Sequence, residues 1–188
     1  MISTKQDLSS YIESDYNAYK MEHPFVARFT FGENWELFAY MKNLRKLEYS
    51  MNKTNKHWWD NLLYGWRWLR HRYNCKKTNI YVHPNSVGKG FHIVHRGFRR
   101  VDSFVSIGEN CQILPNVLFG KKRPDLKSFN IIMGDNCYIS TNVTILGPVN
   151  IGNNVVIAAG AVVTKDIPDN CTVAGIPAKI VKYSSMQQ

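Results

Sequence analysis

The chain has 188 residues, enough for one ordinary domain or for a small helical unit joined to a second module, and a core of this size needs no disulfide staples. It opens on charged residues and holds no apolar run near the roughly 18 residues of a membrane span, so we expect a soluble cytoplasmic protein. The net charge of +10 is concentrated in residues 42–77, where ten basic residues stand against two acids, but no nucleic-acid-reading motif accompanies it, and nucleic acid is disfavoured as a partner.

Residues 1–77 are predicted to form a small α-helical domain. Ser3 and Gln6 fit a capping box at the start of a first helix, and Asn34 is a candidate N-cap for a second. A third segment, HWWDNLLYGWRWLRHRY, holds four tryptophans beside several arginines. We interpret these aromatic residues as core or packing-interface residues with arginines snorkelling past them. The alternative is peripheral membrane contact through this Trp/Arg-rich helix.

From Tyr81 onward the apolar residues recur every six positions. In eight hexads the first residue is apolar, the fourth forms turns and the fifth is small or apolar. The leading residues are Ile107, Ile113, Met133, Ile139, Ile145, Ile151, Ile157 and Val163. The fourth positions are Asn110, Asn116, Asn136, Asn142, Pro148, Asn154, Gly160 and Asp166. A short strand and a corner, repeated, predict a parallel β-helix whose first and fifth columns point inward. We assign it to residues 78–175, followed by a C-terminal tail over 176–188.

The cysteines fit this pattern as packing residues. Cys111 and Cys137 both fall in the inward fifth column, which predicts that they are buried small hydrophobic residues. The chain contains no CxxC pair, so neither a zinc site nor a redox site is indicated. We therefore expect neither a cysteine nucleophile nor a bound metal.

Three stretches carry a family resemblance: YVHPNSVGKGFHIVH, GENCQILPNVLFGKK and IGNNVVIAAGAVVTKDIPDNCTVAGIPAKIVK. With them the chain resembles the hexapeptide-repeat acyltransferases, and most closely the branch of serine acetyltransferases and enzymes that acetylate sugars and capsular polysaccharides. The resemblance implies a mainly β protein, a left-handed parallel β-helix preceded by a small helical domain. It also implies a homotrimer that binds acetyl-coenzyme A as cosubstrate in clefts between neighbouring prisms.

The same resemblance assigns candidate site residues. His95 corresponds to the general base, and a neutral imidazole suits the removal of a hydroxyl proton as the oxygen attacks a thioester. As the third residue of its hexad, His95 is predicted to point outward. Asp102 is not part of the resemblance; it follows shortly after Arg99 and Arg100 in the sequence and is a further candidate for orienting the ring. The candidate coenzyme A contacts are Thr141 and Ala159 along the pantetheine arm, and Thr164, Lys165 and Lys179 near the nucleotide and its phosphates.

Two departures from the serine acetyltransferase pattern bear on the acceptor. Those enzymes have an aspartate where this chain has Tyr81, and a histidine near the position of Ser128. Both losses remove groups that would handle an amino acid, so the sequence favours a sugar or polysaccharide hydroxyl, with L-serine as the alternative. The basic loop from Gly120 to Asn130 is the candidate acceptor wall and would suit an anionic glycan.

Two other classes of function have weaker support in the sequence. Some left-handed β-helices are zinc carbonic anhydrases with three histidine ligands, but no histidine follows His95 here, and His92 and His95 would project in opposite directions. The remaining alternative is a non-catalytic scaffold whose Trp-rich helix recruits a partner. The presence of His95 together with the coenzyme A motif disfavours it.

Overall fold

The computed structural model describes residues 1–20, 29–30 and 32–183. Its helices are α1 (Lys5–Ala18), α2 (Glu33–Asn52) and α3 (Trp58–Thr78). Thr4 caps α1 through a capping box with Asp7, one residue beyond the predicted box. Helix α2 begins at Glu33 with Gly32 as N-cap, so the prediction that Asn34 is the cap was wrong. Asn79 ends α3 in the left-handed conformation, which turns the chain into the first strand.

In the described part of the chain, fourteen short strands follow and form the three walls of a prism. The first wall contains β1 (Ile80–Val82), β3 (Arg99–Val101), β6 (Val117–Lys121), β9 (Thr144–Gly147) and β12 (Val162–Val163). The second contains β4 (Val105–Ile107), β7 (Ile131–Met133) and β10 (Val149–Ile151). The third contains β2 (His92–Ile93), β5 (Gln112–Ile113), β8 (Tyr138–Ile139), β11 (Val156–Ile157), β13 (Cys171–Ala174) and β14 (Lys179–Tyr183).

Successive coils stack in parallel register. Val156 pairs with Tyr138, three hexads earlier, and Val162 pairs with Thr144 by the same step. The basic loop between β6 and β7 is inserted into this repeat. The predicted fold class, a left-handed parallel β-helix behind a small helical segment, is confirmed.

The inward columns are confirmed residue by residue. All eight leading residues and all eight fifth-position residues are buried, including Cys111 and Cys137. Most of the fourth-position residues turn their corners with a positive φ, namely Asn110, Asn116, Asn136, Asn142, Asn154 and Gly160. The phase of the first coil differs, because Ile80 and Val82 point inward and Tyr81 therefore faces outward.

The C-terminal segment is not simply a tail. Strand β14 pairs antiparallel with β13 and extends the third wall, so residues 179–183 of the predicted tail form a strand. The remaining residues of the predicted tail, 184–188, lie outside the described part of the chain.

The helical segment and the prism share one core. Tyr19, Phe38 and Met41 belong to the same buried cluster as Phe91 and Ile93 of the first coil. A buried network of ion pairs and hydrogen bonds, centred on Arg45, connects the two parts. The Arg45 guanidinium donates to the Asp15 carboxylate at 2.8 Å, to Glu48 at 3.1 Å and to the Val87 carbonyl at 2.9 Å.

The tryptophans of α3 lie mostly in solvent. His71 and Cys75 form the buried side of the helix, whereas Trp58, Trp59 and Trp66 are exposed, and so is Trp68 to a lesser degree. The expectation that these aromatic residues belong to the core was therefore wrong. Among the described residues, no helix is long and apolar enough to cross a bilayer.

Candidate active site

His95 lies at the corner that follows β2. Its φ of +59° places it in the left-handed region, which a non-glycine residue seldom adopts. The side chain is 69% exposed, in agreement with the outward direction predicted from its hexad position. The corner therefore presents an accessible imidazole on the outside of the prism.

The first turn of α2 holds this corner. The Glu33 carboxylate accepts a hydrogen bond from the Arg96 backbone N–H at 2.7 Å, and its second oxygen lies 3.4 Å from Nδ1 of His95. Glu36 forms an ion pair with the Arg96 guanidinium. Burial raises the pKa of Glu33, but the Arg96 N–H and His95 outweigh it and leave that pKa lowered. The carboxyl beside the imidazole is therefore ionised at neutral pH.

A buried arginine holds the same corner from inside. Arg99 donates to the carbonyls of Val94 at 3.1 Å and His95 at 2.9 Å. Its Nε and Nη1 have no hydrogen-bond partner among the described residues, and burial lowers its pKa to about 10. A buried cation with two donor nitrogens that lack partners is costly. Its two hydrogen bonds both go to the segment that presents His95.

Asp102 does not occupy the position predicted for it. Its carboxylate accepts from Arg100 Nε at 2.7 Å, and within the described chain the carboxylate that reaches His95 is that of Glu33. The reason is that β3 begins after the corner and ends just before Asp102, so the whole strand lies between them. Asp102 instead lines a cavity of about 590 Å³ between the helices and the first wall.

The candidate pantetheine contacts share a prism edge with His95. The corner after β2 stacks on that of the next coil, where Asn116 N–H donates to the Phe98 carbonyl at 2.7 Å. In the coil after that, Thr141 Oγ1 donates to the Pro115 carbonyl at 2.9 Å. Gly160 N–H donates in turn to the Thr141 carbonyl at 3.0 Å. Because stacked strands are spaced by about 4.8 Å, this edge offers an extended track that leads away from His95.

The track is open to solvent at its later corner. Ala159 is exposed, and a methyl group added at Gly160 would meet no atom within 4 Å. Thr164 and Lys165 lie at the next corner, beyond β12, and not on this edge. Lys179 is the first residue of β14. The loop before it returns to β12, where the Ala178 N–H donates to the Val162 carbonyl at 2.8 Å. An exposed lysine can therefore meet the far end of the track.

Three other histidines, His71, His83 and His92, are placed differently. His92 is partly buried edge-on against Tyr19, with ring centroids 4.6 Å apart, and burial lowers its pKa. His83 is exposed and its Nδ1 lies 2.9 Å from the Pro84 carbonyl. Burial lowers the pKa of His71 to about 4. None of these rings shares the exposed, carboxylate-held position of His95.

The basic loop packs on its own prism. The Phe129 ring lies 4.7 Å from that of Phe104, and Lys121 Nζ lies 4.0 Å from the Phe129 centroid. Ser128 is exposed beside it. Tyr81, the other departure noted in the sequence, lines the 590 Å³ cavity together with Arg100 and other residues.

Glu33 and Arg99 are the functional candidates that the sequence did not indicate. Glu33 is far from His95 in sequence, and no spacing rule links the two. Arg99 does carry a signal, because it pairs with Ile80 and Val117 in an otherwise apolar inward column. A charge in that column could have been noticed once the strand register was known.

The family model described as bacterial transferase hexapeptide (six repeats) matches residues 130–165. The galactoside O-acetyltransferase of Escherichia coli K12 is 36% identical over 123 residues, which cover 55% of this chain and 61% of that protein. The serine acetyltransferase of Synechococcus elongatus is 30% identical over 111 residues, which cover 58% of this chain and 46% of that protein. The chain thus spans about half the length of the curated relatives it matches.

Solved structures agree on the fold. The serine acetyltransferase of Neisseria gonorrhoeae matches with a TM-score of 0.69 and 23% identity, over 97% of this chain and 68% of that one. The serine acetyltransferase of Brucella abortus in complex with coenzyme A matches with a TM-score of 0.71 and 22% identity, over 96% of this chain and 70% of that one. The resemblance to hexapeptide-repeat acyltransferases is confirmed.

Proposed function

We propose that this protein is an acetyl-coenzyme A-dependent O-acetyltransferase with His95 as general base. One observation carries the proposal. His95 is exposed, contacts an ionised carboxylate and stands at the end of a prism edge whose later corners, at Thr141 and Ala159, offer an open track. The relatives named above support the same class of reaction.

The chemistry is direct transfer. Nε2 of a neutral His95 accepts the proton of the acceptor hydroxyl. At the same time the hydroxyl oxygen forms a bond to the thioester carbonyl carbon. The carbon–sulfur bond then breaks, and the imidazolium returns its proton to the thiolate of coenzyme A. The products are an acetyl ester and a free thiol. General base catalysis of this kind contributes about 10² to 10⁴-fold.

Glu33 would act through His95. A carboxylate at Nδ1 favours the tautomer that leaves Nε2 free to accept a proton, and it stabilises the imidazolium that forms. A contact of 3.4 Å is long for a hydrogen bond, and catalytic hydrogen bonds commonly tighten when substrate binds.

The acceptor would meet His95 in a cleft between prisms of a homotrimer. The exposed imidazole and the outward track both face away from the chain's own core, so a second prism is needed to enclose the reacting groups. Water exclusion by that prism would strengthen the electrostatic interactions at the site.

L-serine is the acceptor that the comparisons favour. Serine acetyltransferases predominate among the curated relatives, and the solved structures named above are serine acetyltransferases. The sequence-based preference for a sugar has no such breadth of support.

A sugar hydroxyl is the second candidate, and specific observations favour it. Tyr81 and Ser128 supply neither the carboxylate nor the imidazole that an amino acid acceptor would use. The relative from Escherichia coli K12 is named as a galactoside O-acetyltransferase.

A thiol-release assay tests the function and separates the acceptors. Acetyl-coenzyme A is supplied with L-serine, with simple galactosides or with nucleotide sugars, and release of free thiol is followed against a control without acceptor. Acceptor-dependent release supports the proposal, and the productive acceptor decides between the candidates. Release that never exceeds the control with any hydroxyl would contradict it and favour a scaffold.

A further inference from the structure

The solvent side of α3 carries an apolar stripe. Its members follow one another at steps of three or four residues and therefore share one face of the helix. Each is between 54% and 71% exposed. We call this surface the α3 stripe, formed by Trp58, Leu62, Trp66, Leu69 and Tyr73. The opposite face already packs on the protein through buried His71 and Cys75, so α3 is apolar on both sides.

Basic side chains border the α3 stripe. The Arg70 guanidinium lies 5.2 Å from the Trp66 ring centroid, and that of Arg72 lies 5.7 Å from the Trp68 centroid. Lys76 is exposed in the last turn of the helix. The stripe is thus an apolar strip with cations along its margins.

The neighbouring acidic residues do not neutralise the cations at the margins of the stripe. Asp60 is the acid of α3, and Lys53 already binds it at 2.8 Å. Lys77 is paired with Glu36 at 3.5 Å. Among the described residues, no carboxylate forms an ion pair with the three cations at the margins of the stripe, Arg70, Arg72 and Lys76. A surface that covers the stripe must therefore accommodate positive charge.

We propose that the α3 stripe binds an anionic phospholipid surface, with the helix axis lying along the plane of the bilayer. The stripe runs the length of the helix, so a surface that covers all of it must lie alongside the axis. Tryptophan and tyrosine prefer the boundary between acyl chains and headgroups, because part of the ring is apolar and part is polar. Arginine and lysine at the margins are attracted to anionic headgroups.

Charge complementarity favours lipid over a second copy of this chain. Two copies that met through the stripe would bring Arg70, Arg72 and Lys76 of both helices together, and the like charges would repel. An anionic bilayer meets the same cations with opposite charge. The apolar side chains and the cations at the margin then both favour binding to the bilayer.

Vesicle binding tests the proposal on the full chain. Sedimentation is measured with phosphatidylcholine vesicles and with vesicles of phosphatidylcholine and phosphatidylglycerol, together with the tryptophan emission maximum. The stripe variant is Leu62→Glu with Leu69→Glu, and Val181→Glu is the matched control, since Val181 is an exposed apolar residue on β14. Circular dichroism and light scattering establish that each variant keeps its fold and mass.

We expect binding to the anionic vesicles with a blue shift of emission, and about tenfold weaker binding to phosphatidylcholine alone. The stripe variant should lose most of the anionic binding, and Val181→Glu should keep it. Equal binding of the stripe variant and the wild type would overturn the proposal, as would absence of binding to anionic vesicles. A stripe variant that changes its oligomeric mass while vesicle binding persists would identify the stripe as a protein interface, which also overturns it.

Discussion

The Glu33 carboxylate lies 3.4 Å from Nδ1 of His95, although 62 residues separate the two in the chain. The contact joins the first turn of α2 to the corner after β2. It makes the helical segment a part of the candidate site, because the fold of α2 against the first coil is what brings a carboxylate to the imidazole.

Glu33→Gln should lower kcat by about tenfold or more, because the amide can still accept from Arg96 but cannot stabilise an imidazolium. The measurement is steady-state thiol release with the productive acceptor. Glu36→Gln is the matched control, since Glu36 pairs with Arg96 and Lys77 but has no contact with the ring. Equal losses in both variants would show that Glu33 only holds the corner.

Arg99→Met should lower kcat by about tenfold and leave the free energy of unfolding unchanged or higher. Two donor nitrogens of this buried cation lack partners, so removing the cation relieves a desolvation cost that offsets the two hydrogen bonds lost at the Val94 and His95 carbonyls. Its loss frees the carbonyl of His95. Kinetics and urea unfolding are compared with Arg100→Met at the exposed neighbour. Full activity in Arg99→Met would contradict the positioning role.

Ala159→Leu should raise KM for acetyl-coenzyme A by about tenfold and leave KM for the acceptor unchanged, because the larger side chain would block the track beside Gly160. Pro168→Leu provides the comparison, since Pro168 is exposed at a corner on a different prism edge. A rise in KM for the acceptor alone would place the coenzyme elsewhere.

The free energy of unfolding should fall as the pH drops from about 6.5 to 4. Burial lowers the pKa of His71 to about 4, so the unfolded state binds the proton more tightly and acid favours unfolding. Over that whole range the effect reaches about 3 kcal/mol. Urea unfolding at several pH values checks it against His71→Gln, which cannot titrate and should lose this part of the slope.

The repeat made the prism predictable from sequence. Each hexad obeys the same steric rule, so the columns that contain Cys111 and Cys137 and the asparagine corners follow from local pattern alone. The outward direction of His95 follows from the same phase. A hexad counted from Tyr81 would point that side chain inward, but strand β1 is offset by one residue from this phase, and an offset of one reverses the face of a strand.

The tertiary contacts were not predictable in the same way. Glu33 reaches His95 only after α2 has packed on the first coil. Asp102 is close to His95 in sequence, but β3 carries it away from the corner. Composition alone does not tell which face of a helix is covered, so it does not predict that the tryptophans of α3 are exposed. These features depend on packing between elements.

The most direct test of the central claim is the thiol-release rate of His95→Asn with acetyl-coenzyme A and the productive acceptor. Asparagine occupies the equivalent left-handed corners at Asn116 and Asn142, so this variant keeps the backbone that alanine would strain. We expect kcat to fall by about 10² to 10⁴-fold with the fold and the KM for acetyl-coenzyme A preserved. Acetyl transfer by His95→Asn at the wild-type rate would contradict the assignment of His95 as the general base.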